Sequence, residues 1–109
     1  MREVHILGED VKVTFNMAVE IAYEEIIDAP FEVGSLSRQR NAMALLIAAV
    51  VVNNPDSSLT LERLMKEAKG KEIAALSQAV TAEMSEWMDI PAVELAVEKK
   101  AKKGKTSKN

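Results

Sequence analysis

The chain has 109 residues, enough for one domain, with 14 basic and 17 acidic side chains, a single histidine and no cysteine. Those counts exclude disulfides, thiolate metal sites, thiol nucleophiles and His-rich metal clusters. The charge is uneven: Lys99, Lys100, Lys102, Lys103, Lys105 and Lys108 crowd the end, so residues 1–98 hold 8 basic against 17 acidic groups and are net negative by 9.

Apolar residues make up 48% of the chain and aromatic ones only 4%, which predicts a core of aliphatic, alanine and methionine side chains. Val4, Ile6, Val11, Val13 and Phe15 alternate with His5, Lys12 and Thr14 around Gly8-Glu9-Asp10. This period of two predicts antiparallel strands over about 3–7 and 11–15. Two strands alone are marginal in water, so their apolar face must lie on helices or on another subunit, and a bare outer edge is a joining surface.

Asn16 can cap a first helix over 16–28, stopped by Pro30, and the aperiodic 31–36 reads as a loop whose Phe31 and Val33 fold back on the core. Ser37 can cap a second helix through 38–52, which ends at Asn53-Asn54-Pro55. Its run from Ala42 to Val52 is apolar all round, the mark of an element surrounded by others. A buried strand over 47–52 competes, but the alanine-rich start and the length favour helix. At 11 residues the run is short of the roughly 20 that span a membrane, and the N-terminal residues do not resemble a signal peptide.

Thr60, with Leu59 and Leu64 placed to clamp the start, predicts a third helix over 61–69 ended by Gly70, with Leu61, Leu64, Met65 and Ala68 inward. A fourth helix over 71–88 carries the clearest 3.6-residue stripe, Ile73, Leu76, Val80, Met84, Trp87 and Met88, with Glu83 and Glu86 expected in solvent beside it. Pro91 can open a fifth helix over 92–98. Residues 99–109 form a Lys-rich tail expected to be disordered, leaving 1–98 as a single domain. The expected fold is mainly α with a short N-terminal β-hairpin, an α+β arrangement of four to five helices.

No pattern of catalytic chemistry emerges. Glu20, Glu24 and Asp28 share a helix face, yet a bundle-type metal site needs Glu-x-x-His pairs, and the lone histidine, His5, lies in the hairpin. The four glycines are isolated and form no nucleotide loop. The Lys tail is a candidate electrostatic element for phosphates, opposed by the acidic body, so a nucleic-acid accessory is a secondary reading and an adaptor or oligomeric structural domain a third. No catalytic residue, cofactor or metal is expected. Met17, Met43, Met65, Met84 and Met88, spread over four helices, suit adaptable protein contacts.

A hairpin running into a helix at Phe15-Asn16-Met17 is followed by the helix end Glu24-Glu25-Ile26-Ile27-Asp28-Ala29-Pro30-Phe31. An apolar helix closing at Asn54-Pro55-Asp56 and the helix start Leu59-Thr60-Leu61-Glu62-Arg63-Leu64 complete the order. Over residues 3–70 this resembles the small tail assembly chaperones of long-tailed bacteriophages and prophages, whose strands feed a helix through a Phe-Thr-Met-like step; here Asn16 replaces the threonine, and the basic end has no counterpart. The resemblance implies a non-enzymatic factor in the cytoplasm of the bacterial host that self-associates and binds the helical tape measure protein, keeping it soluble until tail tube polymerises. The residues expected to touch protein, chosen for size and expected position, are Phe15, Met17, Tyr23, Ile27, Phe31 and Trp87.

Overall fold

A computed structural model of the chain describes residues 1–89. Strands β1 (Arg2–Ile6) and β2 (Glu9–Val13) pair antiparallel, with Arg2 opposite Val13, Val4 opposite Val11 and Ile6 opposite Glu9. Leu7 and Gly8 reverse the chain, both at positive φ (50° and 80°), the two-residue turn whose twist suits a hairpin. Gly8 has open space around it, so its conformation, not crowding, favours glycine there. The turn therefore lies ahead of the expected Gly8-Glu9-Asp10, and both strands begin and end one or two residues early. Alternation sets which face is apolar but not where the chain reverses. The face itself is as expected, with Val4, Ile6, Val11, Val13 and Phe15 all buried.

Helix α1 (Met17–Ile27) starts where the Asn16 side chain accepts from the Val19 amide at 3.1 Å and ends with Asp28 in the left-handed region, two residues before Pro30. The Glu24 carboxylate then accepts from the Phe31 amide at 2.8 Å, pulling the chain back. Phe31 thereby meets Phe15 (ring centroids 5.7 Å apart) and, in a T-shaped arrangement, Tyr23 (5.4 Å), while the Tyr23 hydroxyl reaches Ser35. Part of the expected loop is a 3-10 helix, Val33–Ser37, whose Leu36 is buried. Ser37 does not cap the next helix: its hydroxyl donates to the Gly34 carbonyl at 3.2 Å, and Arg38 holds the cap position with no side-chain bond.

Helix α2 (Gln39–Asn53) has Ala44 through Val50 buried without interruption and touches α1, the 3-10 helix, β2 and both later helices. It is the central helix, and the competing strand over 47–52 is not formed. Helix α3 (Leu61–Glu67) begins with the Thr60 hydroxyl accepting from the Arg63 amide at 3.1 Å, between buried Leu59 and Leu64. Gly70 does not end it in a left-handed turn. Ala68 and Lys69 are extended, and Gly70 opens α4 (Gly70–Met88) instead. The Glu72 carboxylate explains this, since it accepts from the amides of both Lys69 and Leu7 at 3.0 Å and so fixes the start of α4 against the hairpin turn. The sheet lies with β1 mainly over α4 and β2 mainly over α2. The fifth helix expected over 92–98 and the tail of 99–109 fall outside the described residues.

The end of α2 is fastened to β2 by Asn54, whose side chain accepts from the Lys12 amide at 3.0 Å and donates to the carbonyls of Lys12 (2.6 Å) and Val50 (2.7 Å). An amide side chain here meets the outward N–H and C=O of Lys12 as a neighbouring strand would. Asn54→Ala is expected to cost about 1–2 kcal/mol by leaving backbone groups short of partners, as measured by urea denaturation.

Beside it, Glu9 accepts from the Ser57 hydroxyl and from the hydroxyl and amide of Ser58. The hydroxyl of Ser58 first, then that of Ser57, holds the Glu9 carboxyl below its ordinary value of 4.5. The amides of Lys69 and then Leu7 do the same for Glu72. A carboxyl lowered by folding adds stability above its unfolded pKa and loses it as the pH falls through the folded one. Stability is therefore expected to decline below pH 4.5, and Glu9→Gln to flatten the slope of the urea midpoint there.

Candidate functional site

A groove lies where the first half of α2 passes between α3 and the start of α4. Ala42, Met43 and Leu46 from α2, Met65 from α3, and Ile73 and Ser77 from α4 line a space of about 630 Å³, with Gln39 and Arg40 at its mouth. The lining is mostly apolar. Positions 42, 43 and 46 share a face of α2, and positions 73 and 77 are one turn apart on α4, so helical spacing builds the two walls. Met65 was expected inward but is 51% exposed. It follows Leu64, which fills the core, by about 100° around a helix of only two turns, and this turns it out over the groove. Flexible thioethers at positions 43 and 65 can refit to different surfaces.

The residues expected to touch protein divide into three kinds. Phe15 and Tyr23 are buried and, with half-buried Phe31, form the aromatic cluster that pins the loop after α1. Ile27 is half-buried and packs against the core. Met17 and Trp87 are exposed, at 55% and 45%, and Trp87 donates its indole N–H to Glu20 at 3.2 Å, which joins the end of α4 to the beginning of α1. Exposed Ile21 lies one turn beyond Met17. None of these lines the groove. The six lysines of the tail fall outside the described residues.

Glu83, expected in solvent, is buried. Its carboxylate is 3.1 Å from the Arg2 guanidinium and 3.5 Å from the Met1 amino group, and it accepts from the Thr14 hydroxyl at 3.0 Å. Arg2 also reaches Glu86 at 2.9 Å. Position 83 is three residues after Val80 and next to Met84, so it lies at the margin of the buried stripe; proximity to Val80 in helical projection was the available signal. Long-range pairing with Arg2 had none.

Among the described residues, no three His, Asp or Glu side chains gather as a metal ion would require, and no buried side-chain nitrogen or oxygen lacks a partner. The acidic face of α1 is used locally: Glu20 holds Trp87 and Glu24 holds Phe31. No described helix is long and apolar enough to cross a membrane. No family model matches the chain, and neither a curated protein nor a solved structure matches it.

Proposed function

We propose that the chain is a non-catalytic tail assembly chaperone of a phage or prophage, which holds an apolar helical stripe of the tape measure protein in the groove between α2, α3 and α4. The observation that carries this reading is the groove itself, an accessible, largely apolar trough walled by helices and lined by Met43 and Met65. A helix recognised in this way presents anchors at i, i+3, i+4 and i+7, and each anchor gains by leaving water. Methionine walls accept a repetitive stripe in more than one register, which suits a holder that must later let go. The acidic body supplies like-charge repulsion between loaded complexes and so keeps them in solution. The setting of this activity is the cytoplasm of the bacterial host.

The test is co-expression of the full chain with the tape measure protein of the same tail, then affinity capture at about 0.15 and 0.5 M salt. Apolar holding survives the higher salt, because screening weakens exposed charge pairs and leaves buried apolar contacts in place. A complex that dissolves at high salt and depends on Lys99 to Lys108 would instead favour an electrostatic role on nucleic acid.

A further inference from the structure

The two edges of the hairpin are treated differently. Lys12 directs its N–H and C=O away from β1, since both bond to Asn54. Its cross-strand partner Glu3, in the same non-bonded pair, must likewise direct its backbone groups outward, and by the alternation of an antiparallel ladder so must His5 opposite Asp10. At one end of this edge the Leu7 amide is taken by Glu72, and at the other the Arg2 side chain is drawn down to Glu83 and Glu86. Between them no described residue pairs with the edge, and beside it runs a cleft of about 460 Å³ walled on the α4 side by Ala75, Gln78 and Ala79. Two of these three side chains, Ala75 and Ala79, are short.

We infer that β1 pairs edge to edge with β1 of a second copy, making a twofold, four-stranded antiparallel sheet centred on Val4. In that register Glu3 of each copy stands opposite His5 of the other, and the outward N–H and C=O of both residues are satisfied in four hydrogen bonds. Side chains facing each other across the new pair select the register. Sliding by two residues one way sets Glu3 against Glu3, and the other way sets His5 against His5, while the centred register puts a carboxylate across from an imidazole twice. Closing the β1 edge also relieves a two-stranded sheet of the exposed backbone that makes such sheets marginal. This pairing uses neither the groove nor any residue proposed to hold the tape measure protein.

Sedimentation velocity of the full chain over a hundredfold range of concentration tests it, set beside His5→Pro. Because the His5 N–H points away from β2, proline removes a bond to the second copy and none within the hairpin. The expected result is a concentration-dependent dimer whose dissociation constant rises at least tenfold in His5→Pro at unchanged circular dichroism. A monomer at every concentration, or a dimer indifferent to the substitution, overturns the inference. If the proline variant fails to fold, hydrogen exchange on the unaltered chain decides. The Glu3 and His5 amides should slow at least tenfold as concentration is raised through dimerisation, and unchanged exchange at both overturns the pairing.

Discussion

Glu83→Ala is expected to lower the free energy of unfolding by about 2–3 kcal/mol, the largest effect of any polar substitution in the described chain. The side chain is 7% exposed and is the point at which the N-terminal strand, the end of β2 and α4 are joined, through Arg2, Thr14 and the helix that carries Glu83 itself. Its removal deprives the part-buried Thr14 hydroxyl of its acceptor and the Arg2 guanidinium of its nearest carboxylate. Arg2 is 43% exposed and can turn to water and to Glu86, which keeps the loss below that of a fully buried pair. Glu83→Gln retains the volume and an acceptor for Thr14, and is expected to cost about half as much. Urea denaturation read by the single tryptophan measures both, since Trp87 is one turn along the same helix. A loss under about 0.5 kcal/mol for the alanine variant would mean that the clasp is replaced by solvent at no cost.

Met65→Glu is expected to reduce retention of the tape measure protein at high salt by at least tenfold, while leaving the unfolding free energy within about 0.5 kcal/mol. Half of Met65 is already in water, so the glutamate need not be buried in the free protein. In a complex it would sit against an apolar stripe and lose its hydration, and the cost falls on binding alone. Trp87→Glu is the matching control, since Trp87 is exposed at the end of α4, where it bonds to Glu20 of α1, and does not line the groove. Equal retention by the two variants, or a loss confined to Trp87→Glu, would move the binding surface to the Met17, Ile21 and Trp87 side.

Most of the architecture was legible because it depends on local chemistry. Asn16 and Thr60 cap helices as their side chains require, the alternation from Val4 to Phe15 selected the buried face, and the unbroken apolar run of α2 placed it at the centre. Errors fell where a distant group overrules a local preference. Gly70 would close α3 on propensity, but the Glu72 carboxylate binds Lys69 and Leu7 and begins α4 there. Ser37 would cap α2, but the preceding 3-10 turn offers its hydroxyl the Gly34 carbonyl. Glu83 belonged on the surface by composition and was drawn inward by Arg2 and Thr14, about seventy or more residues earlier. For the binding surface, size was a poor guide. Phe15 and Tyr23 went to the core because large rings fill it well, while the groove is lined by Met43 and Met65, whose spacing on separate helices carries no signal until the helices are packed.

The most direct test of the proposed holding site is a titration of the chain, labelled with ¹³C at its methionine methyls, with a helical fragment of the tape measure protein. The six methionines place reporters in the groove (Met43, Met65), on exposed surface outside it (Met17), in the core (Met84), at its margin (Met88) and just before the hairpin (Met1). The account predicts that the Met43 and Met65 methyl signals shift together and saturate at one fragment per chain, with Met1 and Met17 unmoved. Shifts confined to Met17, or none at saturating fragment, would contradict it.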